Sequence, residues 1–374
     1  MKSALVSTLA TTAGISIALA TSVTIIKFVH RGVLRRRGVR TAHYTAAVGE
    51  MVSRRMLPTI PPRGWAEDHY FHRVLSDYRH VLSGDDRAFV DRLTDVLGVH
   101  ELLVARSRSR LSPTGRLRAL SSLVDLGDRR HIAYLRERLN EDNRHVRVNA
   151  VKGLARLGDA ASIDRILDLA ESSRPWEAAR MADALAEMGS IAVEPISRWV
   201  SAARDREEAG GVVALGARVL GLIGDPAAED LLIELLGSDR PEWRLAAASA
   251  LQHTGSDKAV EPLVRALTDT DWMVRARAAV ALGAIADSVV GPAVAQLLTD
   301  EVWWVRQNAA EALLAVPGGT DQLVIALDSP DRFAVDAALN QLTLSGVLGE
   351  AADRVARGAG TDRDQRLVAK ASTD

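Results

Sequence analysis

The chain has 374 residues, with 47 Lys and Arg set against 48 Asp and Glu, and no cysteine. Without cysteine there is no disulfide framework, no thiolate-bound zinc or iron–sulfur cluster and no thiol nucleophile. Aromatic residues make up 4%, and seven of them are Trp, so an Ala- and Leu-rich helical protein is favoured over a β-sandwich. The length suits two or three domains or one long repeat array.

The near-neutral balance conceals a gradient. Residues 27–112 carry 16 basic against 9 acidic side chains, whereas the remainder of the chain is acidic. Ahead of both, Ser3 to Ile26 contains no charge over 24 residues, although nine of them are Ser or Thr. As a helix it would extend roughly 36 Å, against about 30 Å of bilayer core. Lys27, Arg31, Arg35, Arg36, Arg37 and Arg40 follow, and only Lys2 precedes. The expectation is a single-pass anchor in the plasma (cytoplasmic) membrane, with the N-terminus outside and the rest of the chain in the cytoplasm. A cleaved signal peptide is the competing reading, through the small-x-small pattern Ala18-Leu19-Ala20. Ala10, Gly14, Ala18 and Ser22 form a small-residue column and a candidate homo-oligomer contact. The basic run 27–40 would sit beside anionic lipid heads.

Residues 27–112 read as a helical juxtamembrane region. Pro58, Pro61 and Pro62 separate two helices. Trp65, Tyr70, Phe71, Val74, Leu75, Tyr78, Val81 and Leu82 then follow helical spacing, and a further helix is expected over Asp85–Arg106. His69, His72 and His80 share one sector of the wheel. With no Glu-x-x-His or second histidine pair beside them, they read as a partly structural histidine face rather than metal ligands.

From residue 113 the chain repeats itself. Leu126-Gly127-Asp128, Leu157-Gly158-Asp159, Met188-Gly189-Ser190, Ile223-Gly224-Asp225 and Thr254-Gly255-Ser256 share a phase, as do Arg147, Arg244, Arg275 and Arg306, the last three 31 residues apart. Eight units fit. In each, a first helix with small faces ends at Gly, which accepts a left-handed cap, and Asp or Ser then caps a second helix with an i, i+3, i+4, i+7 stripe such as Val260, Leu263, Val264 and Leu267. Neither helix buries its face alone, so the units must stack.

This pattern, closest over 271–287, resembles HEAT repeats, specifically the short phycobilisome-lyase type. The resemblance implies an all-α fold: an α-solenoid of about eight helical hairpins wound as a right-handed superhelix, with second helices on its concave side. The expected organisation is an anchor at 1–26, the basic helical region at 27–112, the array at 113–360 and a disordered or frayed tail at 361–374. The repeated Arg147, Arg244, Arg275 and Arg306 would bind carboxylates or carbonyls between units as a structural ladder.

Two candidate surfaces follow. Trp176, Trp243, Trp272, Trp303 and Trp304 lie near the starts of first helices, an aromatic edge suited to a partner. On the second helices, Asp164, Asp168, Asp230, Glu234 and Glu261 share a face that would favour a basic peptide over nucleic acid.

Enzyme readings find little support. There is no Gly-x-Gly-x-x-Gly, Walker-type loop or Gly-x-Ser-x-Gly. HEAT-repeat hydroxylases use several His-Glu dipeptides, and this chain has one, His100-Glu101. The sequence therefore predicts a membrane-anchored scaffold binding a protein, either a basic peptide or a membrane-complex subunit, with no cofactor, metal or nucleic acid. A lyase- or hydroxylase-like enzyme and a nucleic-acid-binding solenoid are the alternatives.

Overall fold

A computed structural model describes residues 38–58, 64–66, 68–109, 112–204, 206, 210–285 and 287–371. They form helices and turns, with no strand among them. No helix among the described residues is long and apolar enough to cross a membrane. That finding overturns the expected placement as a single-pass protein with its N-terminus outside and its repeats in the cytoplasm. The segment 3–26 on which that placement rested lies outside the described residues, as do Ala10, Gly14 and Ala18.

The chain divides into two compact units, Met1–Gly153 and Leu154–Asp374. The first contains α1 (38–54), α2 (His69–Val81), α3 (Gly84–Val96), α4 (Val99–Arg108), α5 (Pro113–Leu126), α6 (Ile132–Arg138) and most of α7 (Arg144–Arg156). Asp68 starts α2 by accepting the Tyr70 N–H at 2.9 Å. The single helix expected over Asp85–Arg106 is two, because Gly98 adopts φ 63°, a left-handed conformation that ends α3 and begins α4. Large side chains fill this unit: Phe71, Leu75, Phe89, Leu93, Leu103, Leu120 and Leu123 are each exposed by 2% or less. Tyr44 and Trp65 pack on Phe71, with ring centroids 5.3 and 5.2 Å away.

The second unit is built from helical hairpins. Beyond α7, α8 (Ile163–Glu171) is followed by the pairs α9 (Pro175–Ala186) and α10 (Val193–Ala203), α11 (Gly210–Ile223) and α12 (Glu229–Leu236), α13 (Pro241–Thr254) and α14 (Asp257–Ala266), α15 (Trp272–Ile285) and α16 (Gly291–Gln296), α17 (Trp303–Ala315) and α18 (Gly319–Ala326), and α19 (Arg332–Leu344) and α20 (Val347–Ala356). The glycine–aspartate marker works as a hinge between paired helices. Gly224 closes α11 at φ 68°, and Asp225 accepts the Ala227 N–H at 2.9 Å.

First helices in this unit pack through small residues. Ala247, Ala248 and Ala250 on α13, Ala278, Ala279 and Ala281 on α15, and Ala309, Ala310 and Ala312 on α17 are all buried. A Cβ placed on Gly221 would lie 2.6 Å from the Ala250 Cα, so α11 and α13 touch backbone to backbone. The tail expected to fray includes α21 (Asp362–Ala371), where Asp364 receives Arg354 Nη2 at 2.6 Å and Thr361 Oγ1 at 2.8 Å.

Candidate functional site

The starts of the first helices sort their side chains by position. The third residue of the helix points inward: Trp243, Val274, Val305 and Ala334 are all buried. The first and second residues, each rotated by about 100°, point outward: Trp272 and Met273 on α15, Trp303 and Trp304 on α17, Phe333 on α19 and Trp176 on α9 are exposed. Trp243 therefore differs from the tryptophans with which the sequence groups it. It is 5% exposed and lies under the Arg240 guanidinium, 4.7 Å from its ring centroid. Trp303 and Trp304, 53% and 56% exposed, meet edge to face with centroids 4.6 Å apart.

Met273 and Phe333 belong to the same edge and were not singled out from the sequence. Their signal is their offset from the helix start, which matches that of Trp304. Met273 and Phe333 are fixed by N-caps, since Asp271 and Asp331 each accept the N–H two residues ahead at 2.8 Å.

Behind this edge lies a ladder of charge. Arg244 forks onto Asp269 through Nε at 2.6 Å and Nη2 at 2.8 Å, while its Nη1 donates to the Ser238 and Asp239 carbonyls. Arg275 repeats the arrangement on Asp300, at 2.7 and 2.9 Å, and its Nη1 donates to the Asp269 carbonyl at 2.9 Å. Each aspartate also closes the turn that leads into the next first helix, accepting the N–H two residues on, of Asp271 or Val302, at 2.8 Å. Burial disfavours the Asp269 and Asp300 carboxylates, but the guanidinium and N–H bonds outweigh it and hold both below their ordinary pKa.

The other two arginines also donate to carbonyls of the turn before their own helix. Arg147 Nη1 donates to the Glu141 and Asp142 carbonyls at 2.9 Å. Arg306 donates to the Asp300 and Glu301 carbonyls and stacks on Phe333, 4.7 Å from its ring centroid. The carboxylate position in the following turn is Ser329, which caps Asp331 N–H instead.

The second-helix carboxylates are largely met by cations. Glu234 faces Arg204 at 2.7 Å, Glu261 faces Arg265 at 2.6 Å, Asp230 faces Lys258 at 3.4 Å and Asp164 faces Arg198 at 3.8 Å. Asp168 is exposed on α8. The histidine face in the first unit is tied by hydrogen bonds: His72 Nε2 to the Ala66 carbonyl at 2.7 Å, His80 Nδ1 to the Ser76 carbonyl at 2.7 Å and His69 Nδ1 to Ser122 Oγ at 3.1 Å.

With the two neutral rungs set aside, the starts of α15, α17 and α19 hold Asp271, Glu301 and Asp331 against Arg306 and Arg332. The edge is thus an exposed aromatic and thioether strip in a mildly acidic setting, on a frame held by buried alanines and two forked ion pairs.

Known proteins share the helical repeat. The profile of the HEAT-repeat family matches residues 101–186, 196–283, 232–315 and 260–362. A phycocyanobilin lyase subunit beta from Nostoc sp. is 30% identical over 148 residues, which cover 36% of this chain and 72% of that protein. The complex of CpcE and CpcF of phycocyanin lyase from Nostoc sp. aligns with 25% identity and a TM-score of 0.37, covering 41% of this chain and 99% of the other. Human deoxyhypusine hydroxylase aligns with 21% identity and a TM-score of 0.29, covering 67% of this chain and 98% of the other. With the family profile spanning most of the hairpins described above, the chain belongs to the HEAT-repeat family.

Proposed function

We propose that the chain is a HEAT-repeat scaffold that recruits a protein, and that the aromatic edge of the second unit docks a basic segment of that partner. The observation that carries this reading is the exposure, in successive hairpins and in one helical register, of Trp272, Met273, Trp303, Trp304 and Phe333. Keeping five large apolar side chains in water costs solubility and contributes nothing to the core, whereas Trp in particular concentrates binding energy at interfaces. Arg and Lys stack on such rings and are drawn by the surrounding carboxylates. The second-helix face is a weaker candidate, because most of its carboxylates already have cationic neighbours.

Peptide selection on the immobilised chain, with counter-selection on the Trp303→Ala/Trp304→Ala variant, tests this. Enrichment of Arg- or Lys-rich sequences that the variant does not retain supports the edge. Enrichment of acidic sequences, or of peptides held equally by the variant, rejects it.

A lyase-like role is the second reading, favoured by the identity with a lyase subunit. Absorption spectra of phycocyanobilin titrated with the purified chain decide it: an unchanged spectrum removes this reading.

A further inference from the structure

The first unit contains a cavity of about 670 Å³ between α1, α2, α4 and α5. That is within the range of small-molecule sites, roughly 300–1,000 Å³. Four arginines, Arg40, Arg106, Arg116 and Arg118, line it together with His69 and His72, set against one carboxylate, Asp68. Asp68 is already engaged, accepting from the Tyr70 N–H and the Tyr44 hydroxyl, both at 2.9 Å, and lying 3.5 Å from Arg40. The walls also offer Leu103 and Ala119 as apolar surface and the Ser122 hydroxyl as a polar contact.

Two buried polar atoms are left over. His72 is 3% exposed, and its Nε2 donates to the Ala66 carbonyl, which leaves Nδ1 buried without a partner among the described residues. Arg116 is paired with Glu141 through Nη2 at 2.5 Å, yet its Nε–H is buried with no acceptor among the described residues. A native fold seldom leaves such groups unmatched. The local field is positive as well. Burial first, then the Arg118 guanidinium, pushes His69 below its ordinary value, and burial and Arg106 act the same way on His72. An anion in the cavity would supply the Arg116 Nε–H with an acceptor and turn a protonated His72 Nδ1 into a donor, among four lining guanidinium groups.

We propose that this cavity binds a small polyanion of about nucleotide size, an organic phosphate or a polycarboxylate. The proposal is independent of the docking edge, since the two lie in different units.

Isothermal titration of the full chain with pyrophosphate, adenosine triphosphate and citrate tests it. The variants are Arg118→Ala and Arg40→Ala, both exposed and removable without loss of core, with Arg87→Ala as the control on α3 outside the cavity. Circular dichroism verifies that each variant is folded. The expected result is one-to-one binding of at least one probe, weakened tenfold or more by Arg118→Ala and by Arg40→Ala and unchanged by Arg87→Ala. Binding of the phosphates identifies a phosphoryl ligand, and binding of citrate alone identifies a polycarboxylate. The proposal is overturned if no probe binds at millimolar concentration in low salt, if either cavity variant binds like the unaltered chain, or if Arg87→Ala loses as much affinity as they do.

Discussion

Both units bury aliphatic side chains, but their helices meet in different ways. In the first, Phe71, Leu75, Phe89 and Leu93 fill the space between helices. In the second, Ala and Gly let helices close until backbones touch, as at Gly221 against Ala250 and Gly283 against Ala312. A core of large side chains fails when atoms are removed, whereas one of small side chains fails when atoms are added. The difference also bears on role: in the second unit, large side chains recur on the outside at successive helix starts, as Trp272, Met273, Trp303, Trp304 and Phe333 do.

Substitutions can break this contrast. The largest effect is expected for Phe71→Ala, which leaves a void between Tyr44 and Trp65 and costs about 3–5 kcal/mol, read as a lower urea midpoint. Next is Arg275→Ala, which strands the Asp300 carboxylate, only 8% exposed, and costs about 2–3 kcal/mol by the same measurement. Gly221→Ala adds a single methyl against the Ala250 backbone. It is expected to destabilise by about 1–3 kcal/mol, while Gly349→Ala, whose added Cβ meets nothing within 4 Å, does not.

A smaller effect distinguishes the units by pH. His100 Nδ1 and His131 Nε2 lie 2.8 Å apart in the first unit, both buried, and can share one proton between them. Burial, reinforced by His100, pushes His131 down to about 4. Above about pH 6.5 the histidine is neutral in both folded and unfolded chains and its contribution is complete. As pH falls from there towards 4, the unfolded chain takes up the proton first and stability is lost, by about 2 kcal/mol at pH 5. Urea midpoints at pH 7.5 and pH 5 measure this loss, and His131→Asn is expected to flatten it. The forked aspartates act in a lower window. With their pKa depressed, their contribution is present above about pH 4 and is lost only as pH falls further.

The repeat was legible because stereochemistry writes it into the chain. A helix that must reverse needs a left-handed residue and a capping side chain, and Gly224-Asp225 supplies both. The aromatic edge was only partly legible. Tryptophan was a visible marker, but exposure depends on the count from the helix start, which turns Trp243 inward and brings Met273 and Phe333 outward. The arginine spacing suggested four equal rungs, yet the forks form where an aspartate stands three residues before the next first helix, as Asp269 does for Arg244 and Asp300 for Arg275, whereas Ser329 stands there for Arg306. The basic cavity left no local signature, because its arginines come from separate helices joined only by tertiary packing.

The most direct test of the docking edge is the affinity of the full chain for a selected basic peptide before and after Trp303→Ala/Trp304→Ala. Both side chains are more than half exposed, so their loss is expected to leave the urea midpoint unchanged. A tenfold or greater loss of affinity at constant stability is the predicted result, and unchanged affinity would contradict the account.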